Sequence, residues 1–513
     1  MWRPLVIDTA LKMNVWEVGS VNSTHVIQRA GPAPGYATGT WDPFRPRCEN
    51  VRVTHVVIIG GGPGGYESAL VAAQLGADVT IVDRDGIGGS TVLTDCVPSK
   101  TLIATSELMT EVEGAGELGV QLGDDPSDDG PVTVDLGRVN ARVKALAQAQ
   151  SADIERRLER DSVRMIAGTG RLDGPDKVVA ELPDGTTETL AADVVLIATG
   201  AHPRVSPTAM PDGERILTWE QVYDLDTLPE RLIVVGSGVT GAEFAGAYKA
   251  LGSEVVLVSS RDRVLPGEDA DAAHVLEEVF TRRGMEVMSR SRMQQVERVG
   301  DGVRVTLTDG RVVEGSHCLL AIGSIPNSAG IGLETAGVDT DDAGFITVDK
   351  VSRTTARGVY AAGDCTGVLM LASVAAMQGR IAMSHTLGDA VSPLNLGEVA
   401  SNVFTSPEIA TVGISQKDID EGTVSARTQM IELSGNPRAK MQGVRDGFVK
   451  LFCLPGTGIV IGGVVVGRQA SELIQAVSIA VTCRLTVDQV AQSFTIYPSI
   501  TGSIAEAARR LHR

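Results

Sequence analysis

The pattern of apolar and polar residues near the start of the orderly part of the chain predicts a strand–helix–strand unit. Residues 55–59 form a β-branched run typical of a buried strand, and a helical pattern then continues to Leu75. A second apolar run covers residues 78–82. A helix between two short apolar strands is the repeating unit of parallel α/β folds, so an α/β architecture is predicted here.

The residues at the turns of this unit indicate what it binds. Gly60, Gly62 and Gly65 follow the first strand in the spacing G-x-G-x-x-G, and Asp83 follows the second strand. Glycines at this spacing permit a tight turn and let a pyrophosphate approach a helix N-terminus, while the carboxylate accepts hydrogen bonds from a ribose. The spacing alone also fits a simple glycine-rich turn, but in this strand and helix context it predicts a dinucleotide site.

The same pattern occurs a second time. An apolar run at residues 232–235 leads into Gly236, Gly238 and Gly241, and a helical pattern and a strand at residues 254–258 follow. Each copy is followed by a hairpin signal, Asp184-Gly185 in the first and Asp309-Gly310 in the second. We therefore expect two nested Rossmann-like dinucleotide-binding domains and two bound dinucleotides.

The pattern changes again near residue 396. Strands are predicted near residues 448–454 and 459–466, with a helix from about Ala470, which indicates an α+β unit. Upstream, Asp135 is placed to cap a long surface helix of the first domain. The predicted domains are a first nucleotide-binding domain at 51–207 and 332–395, a second at 208–331, and the α+β domain at 396–513.

Residues 1–50 have no amphipathic period and lack the basic and apolar order of a signal peptide. Two interpretations stay open for this extension. It is a disordered arm, or it is not part of the natural protein and translation begins at Val51 or Val53.

Composition narrows the classes of partner. The 513 residues carry a net charge of −19, which argues against a nucleic-acid surface or electrostatic binding to anionic membranes. No apolar run approaches the roughly 18 residues that a spanning helix needs. The six cysteines lie far apart without metal-binding spacing, which fits a reducing cytoplasm and predicts no metal site.

The segment at residues 88–100 carries the most specific motif. It reads Gly-Gly-Ser-Thr-Val-Leu-Thr-Asp-Cys-Val-Pro-Ser-Lys and resembles the active-site signature of the pyridine-nucleotide disulfide oxidoreductases, GG-T-C-x4-C-[IV]-P-S-K. In that family two cysteines form a redox dithiol. Here the second cysteine is present as Cys96, but Thr91 replaces the first. A dithiol relay needs two sulfurs, so disulfide reduction is not expected.

The resemblance also implies roles for individual residues around FAD. Cys96 matches the sulfur that contacts the flavin, Lys100 matches the lysine near flavin N5, and Glu243 matches its ion-pair partner. Residues 359–364 resemble the second flavin motif, whose acid, here Asp364, binds the ribityl chain. The other residues that we assign to cofactor binding on this basis are Gly89, Thr199, Gly200, Gly323 and Gly363. Residues 403–410 resemble the opening of the dimerisation domain, which implies a homodimer or a higher homo-oligomer.

The chemical state of Cys96 can be interpreted in two ways. As a small apolar residue it would simply fill space. Because a helix is predicted to begin beside it, the pKa of its thiol is alternatively expected to be lowered, which would place a thiolate near the flavin.

The C-terminal segment also departs from the family. Dithiol reductases carry His-Pro-Thr-x-x-Glu there, where the His–Glu pair moves protons. This chain has Tyr497 in place of the histidine and Gly502 in place of the glutamate. A phenol, with a pKa near 10, is a poor proton shuttle at neutral pH. The combined changes predict a different electron acceptor, with Tyr497 part of its pocket.

Nicotinamide preference depends on the end of the second strand of the second copy. An NADH-selective fold has an acid there, whereas this chain has Ser259, followed by Arg261 and Arg263. Arginines bind a 2′-phosphate and no carboxylate repels it, so we expect NADPH to be accepted and NADH tolerated. The alternative is that these arginines are merely exposed.

The loop that lacks one cysteine and the Tyr-Pro-Ser segment most resemble the actinobacterial NAD(P)H:quinone reductases of this family. The implied reaction is hydride transfer from NAD(P)H to FAD, followed by reduction of a quinone. One alternative is a soluble pyridine-nucleotide transhydrogenase, although that enzyme keeps the other cysteine and a Glu after Tyr-Pro. A further alternative is a non-catalytic flavoprotein that serves as a binding partner, against which the intact second nucleotide motif argues.

Overall fold

The structure is a computed structural model that describes residues 53–120 and 132–512. The extension at residues 1–50, for which the sequence left two interpretations, lies outside these residues.

The first described elements are a strand–helix–strand unit and the helices and antiparallel strands that follow it. In order, these elements are β1 His55–Ile59, α1 Pro63–Gln74, β2 Asp78–Asp83, α2 Gly89–Leu93, α3 Cys96–Gly114, α4 Leu136–Arg160, β3 Arg164–Ala167, β4 Thr169–Leu172, β5 Lys177–Glu181, β6 Thr187–Ala191, β7 Val194–Ile197 and β8 Ala201–Pro203. The second unit follows as β9 Ile216–Thr218, β10 Arg231–Val235, α5 Val239–Leu251, β11 Glu254–Val258, α6 Ala270–Arg282, β12 Glu286–Met288, β13 Met293–Val299, β14 Gly302–Leu307, β15 Val312–Gly315, β16 His317–Leu320 and β17 Ser324–Pro326.

The chain then returns to the first unit and ends in the α+β region. The remaining elements are α7 Leu333–Ala336, β18 Val359–Ala361, α8 Ala372–Thr386, β19 Ala400–Val403, β20 Glu408–Gly413, α9 Gln416–Asp420, β21 Arg427–Glu432, α10 Pro437–Met441, β22 Phe448–Cys453, β23 Val460–Gly467, α11 Ala470–Thr482, α12 Val487–Gln492 and α13 Gly502–Leu511. Short 3-10 turns lie at Ala115–Leu118, Val222–Asp224, Asp364–Thr366, Leu396–Glu398 and Leu433–Gly435.

The first nucleotide-binding sheet is parallel and has the order β18-β7-β1-β2-β3. Strands β1 and β7 are almost fully buried because helices cover the sheet, which is why their sequences are nearly continuous runs of Val and Ile. Helix α1 packs against α8 with little space between them, since a Cβ on Gly379 would lie 2.2 Å from Ser68 Oγ. Strand β18 belongs to this sheet although it follows the whole second unit.

The second sheet repeats this architecture with the parallel order β12-β11-β10-β16-β9. Three-stranded antiparallel sheets accompany both units, β4-β5-β6 in the first and β13-β14-β15 in the second. The Asp-Gly turns lie between β5 and β6 and between β14 and β15 as predicted, with Gly185 at φ +82° and Gly310 at φ +85°. The two nested Rossmann-like units are thus confirmed.

The C-terminal region is an antiparallel sheet in the order β19-β20-β23-β22-β21, with α11 and α13 packed against it. The core between the sheet and these helices includes Val449, Leu451 and Leu511. Phe448 and Phe452 lie in a different core cluster, which also contains residues of α3 and α5. The α+β architecture predicted there is confirmed. In the part of the chain that the structure describes, no helix combines the length and the hydropathy that crossing a membrane requires.

Candidate active site

A cavity of about 670 Å³ opens at the carboxyl ends of β1 and β2. It lies between the glycine turn after β1, the active-site loop at the start of α3 and the turn after β18. The predicted residues that line it are Gly60, Gly62, Asp83, Gly89, Cys96, Thr199, Gly200, Gly363 and Asp364. Four segments that are far apart in sequence, at residues 60–62, 83–96, 199–200 and 363–364, therefore meet at one place.

The glycine turn is shaped so that larger residues do not fit. Gly60 has φ +107°, and a Cβ there would lie 2.2 Å from Ala198 O. A Cβ on Gly65 would lie 1.9 Å from Gly60 O, and one on Gly89 would lie 2.8 Å from Gly62 Cα. The backbone at the start of α1 is therefore not covered by side chains where it lines the cavity. This is the arrangement in which helix N-terminal N–H groups bind a pyrophosphate.

Asp83 holds the loops around this turn. Its Oδ2 accepts a hydrogen bond from Gly61 N at 2.6 Å, and its Oδ1 accepts from Asp85 N at 2.8 Å and Gly86 N at 2.6 Å. Because a carboxylate offers about four lone-pair sites, it has capacity left for a ribose. Asp83 thus fixes the loop and remains available to a nucleotide.

Asp364 faces the opposite part of the cavity. It begins the 3-10 turn after Gly363, whose N–H donates to Gln378 Oε1 at 2.9 Å. Among the described residues its carboxyl group has no hydrogen-bond partner, and burial together with the nearby Asp95 raises its pKa to about 6. A half-buried carboxyl group without a partner, lining a cavity, fits a hydroxyl-rich ligand such as the ribityl chain of FAD.

The residues that line the cavity therefore fit FAD. The glycine turn would hold the pyrophosphate, Asp83 the adenosine ribose and Asp364 the ribityl chain. Two observations support this fit. The steric limits at Gly60 and Gly65 keep the turn free of side chains, and the carboxyl group of Asp364 has no partner among the described residues.

Lys100 and Glu243 form the ion pair that the sequence predicted. Lys100 Nζ lies 2.8 Å from Glu243 Oε2, and the Glu243 side chain is 4% exposed. Glu243 Oε1 accepts from Phe404 N at 2.8 Å, and Lys100 Nζ lies 4.8 Å above the Phe404 ring. Burial lowers the pKa of Lys100, but the charge and hydrogen bond of Glu243, together with Asp95, outweigh it, so the pKa is raised and the ammonium form is held.

The thiol of Cys96 behaves differently from the expectation that a helix N-terminus would lower its pKa. Cys96 is the first residue of α3, yet burial and the adjacent Asp95 raise its pKa to about 12 despite the nearby Lys100. The thiolate prediction was wrong, because loss of hydration and a neighbouring carboxylate outweigh the helix dipole. Cys96 is therefore a neutral thiol at pH 7.

Two acids at the cavity were missed from the sequence. Asp95 and Glu220 both line it, and Thr94 Oγ1 donates to Glu220 Oε1 at 3.3 Å. Burial raises the pKa of each carboxyl group. Asp95 stands directly before Cys96 in the motif and could have been noticed there. Glu220 follows β9 in a loop with no motif, so no sequence signal indicated it.

Thr199, Gly200 and Gly323 lie where the chain crosses between the two units. Thr199 Oγ1 donates to Asn327 O at 2.8 Å, and Gly200 has φ +68°. Gly323 O accepts from Arg204 N at 2.8 Å, and Gly323 is not among the residues that line the cavity. The assignment of Gly323 to cofactor binding remains a prediction.

The second glycine turn has the same steric limits as the first. A Cβ on Gly236 would lie 2.1 Å from Ala321 O, and one on Gly241 would lie 1.8 Å from Gly236 O. Gly238 caps α5, so the helix N-terminus is open here too. This turn is built to take a second pyrophosphate.

The three residues predicted to select the nicotinamide are placed differently from one another. Ser259 is fully buried, and its hydroxyl lies 2.6 Å from Ser237 Oγ. The Arg261 side chain is exposed. Arg263 Nη2 donates to Pro266 O and Glu268 O, each at 3.3 Å. Of the three, Arg261 is the residue whose side chain is free to meet a ligand.

Tyr497 is not among the described residues that line the cavity. Its side chain is 83% exposed, and the neighbouring Phe494 and Ile496 are exposed as well. Three large exposed apolar side chains on one short segment indicate an interaction surface that another molecule buries. The prediction that Tyr497 lies over a partner's flavin is compatible with this exposure and remains a prediction.

Comparisons with known proteins cover most of the chain. A family model described as pyridine nucleotide-disulphide oxidoreductase matches residues 54–379, and the dimerisation domain of the same family matches residues 399–508. An NAD(P)H dehydrogenase (quinone) from Mycobacterium tuberculosis is 56% identical over 468 residues, which are 90% of this chain and 94% of the relative. A dihydrolipoyl dehydrogenase from Zymomonas mobilis is 31% identical over 457 residues, 88% of this chain and 96% of the relative.

Solved structures agree with these matches. The crystal structure of LpdA from Mycobacterium tuberculosis has a TM-score of 0.85 at 56% identity, covering 90% of this chain and all of that one. The flavoprotein disulfide reductase RclA from Escherichia coli has a TM-score of 0.78 at 21% identity, covering 89% of this chain and 99% of the other. At that identity the second likeness shows the fold alone.

Proposed function

This chain belongs to the pyridine nucleotide-disulphide oxidoreductase family, and from that premise we propose that it is a FAD-dependent NAD(P)H:quinone oxidoreductase. The observation that carries the proposal is the chemistry at positions 91 and 96. Thr91 and Cys96 line one cavity, Thr91 offers no sulfur, and the lone thiol of Cys96 keeps its proton. The site therefore lacks both the dithiol and the thiolate that disulfide exchange requires. The relative named as a quinone reductase at 56% identity supports the same acceptor.

Residues of the first cavity would hold FAD, and the second glycine turn would hold NADPH or NADH. A bound FAD would supply the ability to take up a hydride from a nicotinamide and to pass the electrons to an acceptor. A quinone needs no nucleophile from the protein. It needs a flat space, hydrogen bonds to its oxygens and access to the flavin.

The chain's own residues prepare such a space. The Lys100–Glu243 pair fixes an ammonium group on α3, one helical turn after Cys96, and Phe404 N donates to the same carboxylate; neither Lys100 nor Glu243 lines the cavity itself. Cys96 presents a small neutral thiol, which adds no negative charge beside the flavin. We infer that Lys100 and Glu243 position the isoalloxazine and that Cys96 lines the acceptor side.

We further propose that the protein works as a homodimer, or a higher homo-oligomer, in the cytoplasm. The match to the dimerisation domain and the exposed apolar segment at residues 494–497 support the assembly. In this arrangement Tyr497 forms part of the partner's quinone pocket. The widely spaced cysteines support a reducing compartment. The proposed domains are 51–207 with 332–395 for FAD, 208–331 for NAD(P), and 396–513 for dimerisation.

A panel of electron acceptors tests the function. Purified holoprotein is reduced with NADPH or NADH under anaerobic conditions and then offered quinones, lipoamide, glutathione disulfide and thio-NAD⁺. Rapid reduction of a quinone, with both disulfides at background, is the expected result. Faster reduction of thio-NAD⁺ would favour the transhydrogenase alternative. Turnover of either disulfide at the quinone rate would contradict the role given to Thr91, and a flavin that no nicotinamide reduces would indicate a non-catalytic protein.

A further inference from the structure

Two arginines meet at the ends of β11 and β12, although they are far apart in sequence. Arg290 N donates to Arg261 O at 2.7 Å, so the backbone after β12 lies against the backbone after β11. Both side chains are exposed, and among the described residues neither forms an ion pair or a side-chain hydrogen bond. Two guanidinium groups are therefore presented from adjacent backbone positions.

Buried serines fix this corner to the second glycine turn. Ser237, in the turn, lies 2.6 Å through its hydroxyl from that of Ser259, and Ser291 N donates to Ser259 O at 2.6 Å. All three serines are buried. The strand end that carries Arg261 and the loop that carries Arg290 are thus bound to the same turn that would receive a pyrophosphate.

The backbone at Arg290 adds a second indication. Its φ is +52°, in the left-handed region that non-glycine residues seldom occupy. Glycine would adopt this conformation without strain. An arginine kept in such a conformation, next to a nucleotide turn, suggests that the side chain has a use.

The charge of the corner is unusual for this chain. The protein as a whole carries −19, whereas Arg261, Arg290 and Arg292 lie close in sequence to these strand ends with Asp262 as the exposed acid. Arg311 is also present, but it is paired with Asp309 and donates to Ser291 Oγ at 2.6 Å. Arg263 is held by two carbonyl oxygens. The guanidinium groups free to bind an anion here are those of Arg261 and Arg290, with Arg292 beyond Ser291.

We propose that Arg290 joins Arg261 to bind a phosphate monoester, the 2′-phosphate of NADPH, and that Arg263 instead holds the loop after β11. This inference rests on the proposed function only in taking the second glycine turn as the nicotinamide site. The adenosine ribose of a dinucleotide lies at the end of the second strand of such a unit, which is where Arg261 and Arg290 meet. Two guanidinium forks suit a phosphate dianion, and NADH offers them no such group.

Equilibrium binding tests the inference without turnover. The holoprotein with oxidised flavin is titrated calorimetrically with NADP⁺, NAD⁺, 2′,5′-ADP, 5′-AMP and inorganic phosphate. Arg290→Gly removes the guanidinium and relieves the left-handed backbone, so failure to fold is not a concern. Arg290→Lys keeps the positive charge but loses the paired N–H donors of the guanidinium group. Arg142→Ala, an exposed arginine of α4 without an ion pair, is the matched control.

Arg290→Gly is expected to weaken NADP⁺ and 2′,5′-ADP about tenfold or more while leaving NAD⁺ and 5′-AMP unchanged, with Arg290→Lys in between. Arg142→Ala should change none of them. Unchanged NADP⁺ affinity in Arg290→Gly, or equal weakening of NAD⁺, would overturn the inference. Tight binding of inorganic phosphate that Arg290→Gly abolishes while NADP⁺ is unaffected would also overturn it, because the anion would then not be the dinucleotide's. The measurement is independent of the acceptor, so failure of the quinone assignment leaves the result interpretable.

Discussion

Lys100 Nζ lies 2.8 Å from Glu243 Oε2 and joins helix α3 of the first nucleotide-binding unit to helix α5 of the second. The Glu243 side chain is almost fully buried, the Lys100 side chain is 30% exposed, and the other Glu243 oxygen accepts from Phe404 N. A single glutamate therefore connects three parts of the chain: α3, α5 and the segment at Phe404. Replacing Glu243 should therefore lower both the stability and the activity of the protein.

Replacing Glu243 with Gln leaves the Lys100 ammonium without its counter-charge. Breaking a buried pair costs about 3–5 kcal/mol, and the partial exposure of Lys100 places this one near the lower limit. Urea unfolding of the flavin-free protein measures this loss in the free energy of unfolding. Glu159→Gln, at an exposed glutamate of α4, is the control. A loss no greater than that of the control would contradict the structural role of the pair.

The pH dependence of this contribution follows from the raised pKa of Lys100. A base whose folded pKa is raised contributes stability that is complete below its unfolded pKa, near 10.4, and lost as pH rises through the folded value. The difference between the wild type and Glu243→Gln should therefore be constant around neutrality and shrink only in strongly alkaline solution.

The thiol of Cys96 should resist alkylation at neutral pH. With a pKa of about 12, only a trace is thiolate, and the thiolate is the nucleophile. We expect the iodoacetamide rate of Cys96 in flavin-free protein, followed by mass spectrometry, to rise tenfold per pH unit up to at least pH 10. A thiol of ordinary pKa levels off above about pH 8.5. The exposed Cys483 serves as the internal reference for access. A Cys96 rate that levels off below pH 9 would restore the thiolate interpretation.

Asp364→Asn is expected to have opposite effects on folding and on flavin binding. The folded pKa of Asp364 is raised to about 6, so in the flavin-free wild type its ionisation opposes folding. This penalty is absent below the unfolded pKa, near 3.9, grows as pH rises to 6, and is constant above it, at about 3 kcal/mol. The variant should therefore be more stable than the wild type at pH 8, by denaturant titration, and the gain should vanish toward pH 4.

The same variant should bind FAD more weakly, because an amide replaces an acceptor-only carboxylate facing the ribityl hydroxyls. Fluorescence titration of the flavin-free protein with FAD measures this. Asp342→Asn, on an exposed loop, is the control for both measurements. Tighter FAD binding by Asp364→Asn would remove Asp364 from the flavin site.

Tyr497→Phe separates stacking from hydrogen bonding at the proposed acceptor pocket. If the phenol donates to a quinone oxygen, turnover with quinone should fall by about tenfold, the value of one hydrogen bond of roughly 1–1.5 kcal/mol. Rapid reduction of the flavin by NADPH in a stopped-flow instrument should be unaffected. Tyr497→Ala should lower quinone turnover further, because the aromatic ring is lost as well as the hydroxyl group.

Truncation of the C-terminus is a poorer test of that pocket. Helix α13 buries Ile504, Ala508 and Leu511 against the C-terminal sheet, so its loss would damage the core. Unchanged quinone kinetics in both Tyr497 variants would place the acceptor elsewhere, and the vacated nicotinamide site would be the next candidate.

The sequence predicted the elements that depend on local pattern and on steric necessity. Strand β1 begins and ends where the apolar run does, and Gly60 and Gly236 occupy turns where a Cβ would collide with a carbonyl. The Lys100–Glu243 pair was also predicted, because both residues belong to motifs whose order the family fixes. The domain boundaries and the cofactor contacts remain predictions.

What the sequence could not give depends on residues that meet only in the folded chain. The pKa of Cys96 is set by burial and by Asp95, and these outweigh the helix terminus on which the sequence argument relied. Arg263 was expected to bind a 2′-phosphate or to be merely exposed, and the sequence did not show that the loop after β11 folds so that two carbonyls accept from it. Glu220 and Arg290 reach their places through tertiary contacts, with no motif to mark them.

Strands β8 and β17 have a consequence for how this protein could be re-engineered. They pair antiparallel with Pro203 opposite Ser324, and Arg204 N donates to Gly323 O, so the chain leaves the first unit and returns to it side by side. Everything between them is an insertion whose two ends already touch. A homologous unit of different coenzyme preference could be grafted there if it kept a glutamate to pair with Lys100, because Glu243 of the inserted unit forms that ion pair with the host. Under the proposed assignment, the unit that selects the coenzyme is inserted at one point of the chain, yet through Glu243 it also supports the flavin site.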